Sequence, residues 1–112
     1  MHDIDKAIKV FVAKCQEVVD KHYKQYGWDN KLSIIKGRRY EKIASTDDTD
    51  QPTTRVWAFI DKTNGDVLKP AGWKAPAKHP RGNIYDEHDG MRFIGAYGPS
   101  YMTAEINKYN NG

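Results

Sequence analysis

At 112 residues, 38% of them hydrophobic and 29% charged, the chain has the size and composition of one packed domain rather than a disordered segment. A single cysteine excludes an internal disulfide and a thiolate zinc site, and no run approaches the roughly 20 apolar residues of a membrane helix. The net charge of +3, with a pI near 8.9, permits a nucleic-acid partner without requiring one. Acids at positions 3 and 5 are foreign to a signal peptide. The expectation is a single domain over residues 1–112, in a reducing cytoplasm, with no membrane partner.

Residues 3–26 read as one amphipathic helix. Ile4, Ile8, Phe11, Cys15, Val18 and Val19 recur at three- and four-residue spacing, with Val12 and Tyr26 on the flank. Asp3 is placed to cap the start, and Gly27 stands where a left-handed residue ends a helix. From residue 31 the period changes. "KLSIIK" and "RRYEKIAS" predict two strands around a tight turn at Gly37, and "DDTDQP" predicts an acidic loop that Pro52 keeps from continuing the strand. "TTRVWAFID" is the strongest strand, and Asn64-Gly65 predicts a hairpin into "DVLKPA". Beyond residue 71, Gly and Pro punctuate the chain every few positions, leaving a long loop and a helical turn or two at 100–109 capped by Ser100. The fold class expected is therefore α+β: an N-terminal helix packed on an antiparallel sheet of about four strands, followed by a Gly/Pro-rich C-terminal half.

Residues 59–90, with "NGDVLK", "GWKAPAKH" and "RGNIYD", resemble a family of small uncharacterised proteins encoded by tailed bacteriophages, marine ones included. The likeness extends more loosely to "KLSIIKGRRYEKI" and "GAYGPSYM". It implies a phage origin and the cytoplasm of an infected cell, and it brings no catalytic residues with it.

Two basic clusters carry the functional expectation. Lys31, Lys36, Arg38, Arg39 and Lys42 surround the first hairpin, and Lys69, Lys74, Lys78, His79 and Arg81 follow the last strand, with Tyr40, Trp57 and Trp73 between them. Cations neutralise phosphates and aromatic faces stack on splayed bases, which suits single-stranded nucleic acid. Trp57, mid-strand among Val56, Ala58 and Phe59, reads as core. The expected nucleic-acid-binding set is Lys36, Arg38, Arg39, Tyr40, Lys69, Trp73, Lys74, Lys78, His79 and Arg81. "KHPRGN" also has the parts of a phosphate cradle, although it lacks the Gly-Lys-Ser/Thr ending of a Walker loop.

Other chemistry is weaker. Asp86, Glu87, His88 and Asp89, with His79 upstream, offer oxygen and imidazole ligands but match no ligand spacing, and "DEHDG" reads as a solvated turn. Cys15 lies on the apolar helix stripe, about 10 Å along the axis from His22 and beyond direct proton transfer. No catalytic residue, metal ligand or cofactor is assigned. The leading expectation is a small non-enzymatic protein that binds nucleic acid. The alternative is one that binds a host protein or a nucleotide, with Phe93, Tyr97, Tyr101 and Tyr109 as the contact surface.

Overall fold

The computed structural model describes residues 3–99. Helix α1 (Asp3–Lys24) is followed by strands β1 (Asn30–Ile35), β2 (Tyr40–Asp47), β3 (Thr54–Asp61), β4 (Asp66–Pro70) and β5 (Pro76–Asn83). These five form one antiparallel meander in the order β1-β2-β3-β4-β5, and β6 (Ile94–Gly95) and β7 (Gly98–Pro99) close a two-residue ribbon. The fold is α+β, with one helix on an antiparallel sheet. A cap from the Asp3 side chain and a C-terminal turn at 100–109 lie outside the described residues.

The helix ends where its sequence says it should. Gly27 has φ 72°, its N–H donates to the Lys24 carbonyl at 3.0 Å, and the Trp28 N–H reaches back to the Tyr23 carbonyl at 3.2 Å. This is a Schellman closure, in which a left-handed glycine satisfies carbonyls the helix would otherwise leave open. Ile8, Phe11, Val12, Cys15, Val19 and Tyr23 fill the buried stripe, while Tyr26 falls past the helix end and is exposed. Each large apolar side chain so buried contributes about 1.5–3 kcal/mol.

Strand register sorts the sheet into two faces. Ile43 pairs with Ala58, Glu41 with Ile60, and Ile60 with Val67, which sets Ile43, Ala58, Ile60 and Val67 in the core with the helix stripe. On the other face stand Tyr40 and Lys42, paired with Asp61 and Phe59, and Leu68, paired with Phe59. The edge strand β1 is covered by Gln16, which accepts from the Leu32 N–H at 2.8 Å and donates to the Asn30 carbonyl at 2.7 Å. A side-chain amide thus stands in for a further strand.

The expected Asn64-Gly65 hairpin is present, its loop running over residues 62–65 with Gly65 left-handed (φ 86°). A Cβ on Gly65 would also come within 2.9 Å of the Tyr85 ring. The sheet has five strands rather than four, because "PAKHPRGN" is β5 and not a loop. Pro76 and Pro80 lack an N–H, so they are tolerated where one side of a strand has no partner, and β5 is the outer edge.

Candidate functional site

The sheet face away from the helix carries alternating cations and rings. Arg39 lies 5.1 Å from the Tyr40 ring centroid, and Tyr40 meets Phe59 edge-on at 6.1 Å. Lys42 Nζ stands 5.9 Å from the Phe59 ring and 4.1 Å from that of Trp73. Phe59 is only 2% exposed, so it is the floor, whereas Trp73 is 47% exposed. Trp73 arrives there because the β4–β5 turn closes on itself, with the Ala71 and Gly72 N–H groups both donating to the Ala75 carbonyl. A depression of about 340 Å³ runs from Arg39 and Tyr40 across Leu68 to Ala77, Lys78 and Pro80. Three strand spacings separate β2 from β5, roughly 14 Å.

Two carboxylates in this groove are already engaged. Asp61 accepts from the Thr63 hydroxyl at 2.6 Å, the Thr63 N–H at 2.9 Å and Arg39 Nη2 at 3.3 Å. Burial pushes the Asp61 carboxyl up, but the Thr63 bonds and Arg39 outweigh it and hold the group below the usual carboxylate range. Asp66 accepts from Asn83 Nδ2 at 3.0 Å. Arg39 and Lys78 thus line a groove whose two carboxylates are held by Thr63, Arg39 and Asn83, and Lys42 stands beside it against Phe59 and Trp73.

The structure divides the expected binding residues. Arg39, Tyr40 and Lys78 line the groove, and Trp73 borders it through Lys42. Arg38 and Lys74 are exposed nearby, while Lys69 and His79 are not among the groove's lining. Lys36 belongs elsewhere: its Nζ lies 3.6 Å from Glu41 and 3.9 Å from Asp5, on the helix side. Glu41 is fully buried and also has Lys62 at 3.5 Å, so Lys36 serves to offset a buried charge. Arg81 is 6% exposed and donates to the His79 carbonyl at 2.8 Å. With Lys78 in the groove and Arg81 buried, "KHPRGN" does not assemble the phosphate cradle that its composition predicts.

The 86–89 acids build a turn. Asp86 accepts backbone N–H bonds from His88 (2.8 Å), Gly90 (2.9 Å) and Asn83 (3.1 Å). Burial raises its carboxyl, but these three donors prevail and hold it below the ordinary value. Asp89 pairs with Lys14 at 3.0 Å and ties the turn to the helix. Among the described residues no three His, Cys, Asp or Glu side chains are grouped to hold a metal. Cys15 is buried beside Met91 Sδ at 3.9 Å, and burial pushes its thiol up to about 12, which removes it as a nucleophile. Trp57 is core, its indole N–H donating to the Ala96 carbonyl at 3.2 Å.

One feature was placed only by the structure and one escaped the sequence. Lys42, read as one of the cations around the first hairpin, stands beside the groove rather than in its lining, and only the strand register reveals that it shares a face with Phe59. Trp28 stands exposed at the helix end beside Tyr26. The signal was "YKQYGW", whose glycine places the following residue against Tyr23.

The chain matches a family of unknown function (DUF7717) over residues 2–98, and it belongs to that family. No curated protein and no solved structure matches it. No helix among the described residues is long and apolar enough to cross a membrane.

Proposed function

We propose that this protein binds single-stranded nucleic acid across the open face of its sheet, in the groove between Arg39–Tyr40 and Lys78. The observation that carries the reading is the convergence of three cations, Arg39, Lys42 and Lys78, with two rings, half-buried Tyr40 and exposed Trp73, on one sheet face. Cations spaced along a groove neutralise successive phosphates, and the rings offer flat faces for unpaired bases. A duplex hides its base faces, so it would use the cations alone. No proton-transfer pair or metal is invoked, and the role is binding rather than catalysis. The resemblance of residues 59–90 to tailed-phage proteins supports placing this activity in the cytoplasm of an infected host cell.

The test is fluorescence anisotropy with mixed-sequence single- and double-stranded DNA and RNA, at low and near-physiological salt. The expected result is a preference for single strands whose log affinity falls with log salt by about 0.7 per phosphate neutralised. Absence of binding at low salt would overturn the reading.

A further inference from the structure

We infer that the exposed ring cluster at the C-terminal end of α1 is a docking surface for a partner protein that inserts an arginine or lysine side chain against Trp28. The surface lies apart from the groove described above and shares none of that groove's lining.

The local chain explains how the cluster arises. The Schellman closure at Gly27 turns Trp28 back onto Tyr23, where the two rings stack at 6.3 Å with planes 28° apart. Tyr26 meets Trp28 at 5.6 Å, and His22 joins Tyr26 at 5.7 Å to Tyr97 at 5.3 Å. A contact between the residue after the glycine and the last helical turn commonly accompanies this closure, which accounts for one face of the indole. It does not account for the rest: Trp28 remains 66% exposed. Contiguous exposed aromatics of this kind are characteristic of interaction surfaces, where Trp and Tyr anchor partners.

The charges beside the rings specify the partner. Trp28 is a shared wall of two cavities, of about 410 and 250 Å³, and Asp29 and Asp48 line both. The smaller cavity has three aspartates, Asp29, Asp47 and Asp48, against one cation, Arg55. Asp47 is occupied by the Thr53 N–H at 2.8 Å. The Asp29 and Asp48 carboxylates have no hydrogen bond or ion pair among the described residues. A ring face attracts a cation through its quadrupole, and an adjacent unneutralised carboxylate adds direct attraction. Arginine fits best, because its planar guanidinium both stacks on an indole and forks onto a carboxylate. The outer cavity also carries Lys24 and Lys31, so the smaller one receives the cation. A phosphate backbone would be repelled there, which separates this surface from the groove in the ligand it takes.

The experiment is a titration of the full chain with acetyl-Gly-Arg-Arg-Gly-amide into the millimolar range, read on the three tryptophan indole N–H resonances, with Trp28 assigned through Trp28→Phe. A saturable shift of Trp28, with Trp73 unmoved, is expected, and the Glu-Glu peptide of the same design should shift neither. The Asp29→Asn/Asp48→Asn variant, changed only at exposed positions, should keep its melting temperature and bind at least about tenfold more weakly, a difference of about 1.4 kcal/mol. No saturable shift, a shift at Trp73 alone, or undiminished binding by that variant would overturn the inference. So would a concentration-dependent dimer abolished by Trp28→Ala, which would make a second copy the occupant.

Discussion

The two ends of strand β2 present the same residue types in opposite arrangements. Near Tyr40 the chain sets its own cations beside its rings, Arg39 at Tyr40 and Lys42 at Trp73. Near Asp47, roughly 23 Å along the strand, Trp28 and Tyr26 stand open, and the cavity beside Trp28 sets three aspartates against one arginine. Aromatic content alone therefore does not define a binding surface in this protein. The sign of the charge beside the ring separates the two ends, and on the readings proposed above it would favour phosphates at one and basic side chains at the other.

The largest expected effect breaks the first end. Arg39→Gln/Lys42→Gln/Lys78→Gln should lower single-strand affinity by about a hundredfold at low salt and flatten the salt slope by about 2, since each lost phosphate contact removes about 0.7. A slope unchanged in anisotropy titrations would show that these cations do not meet phosphate.

Asp86→Ala touches neither end and should leave both proposed binding activities intact, yet it should cost about 1–3 kcal/mol of stability by stranding three backbone N–H groups. Chemical denaturation measures this. The pH dependence has a definite sign. Asp86 and Asp61 are both held below the usual carboxylate range in the folded protein. Their contribution is thus complete above the unfolded value of about 4 and is lost as pH falls below it through the folded values. Asp86→Ala should accordingly flatten the acid limb of a stability–pH profile.

Trp73→Ala should weaken single-strand binding about tenfold, near the low end of what one stacked base contributes, while leaving duplex binding unchanged. Equal loss on both forms would point to a displaced Lys42 instead of lost stacking. At the other end, Gly27→Ala should cost about 1 kcal/mol, because a Cβ there meets no atom within 4 Å and the penalty lies wholly in the left-handed backbone. Its more telling readout is the Trp28 indole resonance, which should broaden or move as the closure loosens. The smallest effect belongs to Lys36→Gln. It should change nucleic-acid affinity less than about twofold, because the Lys36 ammonium lies toward Glu41 and Asp5. A large loss of affinity would return Lys36 to the binding face.

The sequence alone determined the helix, its end at Gly27 and four of the main sheet's five strands, because those depend on periodicity and on local glycine and proline chemistry. The α+β class followed from the order of those elements. It missed β5: two prolines in eight residues argue against a strand unless that strand is known to lie at an edge, and edges are a property of the assembled sheet. The same limit applied to the candidate sites. Ten residues were named from composition, yet sequence distance could not show that Lys36 turns to a buried glutamate, that Arg81 folds inward, or that Lys42 joins Phe59 and Trp73 across three segments of chain. Which side of a strand a residue occupies depends on register, and which cations remain available depends on the acids that packing brings beside them. Tertiary structure alone decided both, since a charge becomes a structural counter-ion or a free surface group only when its neighbours are in place.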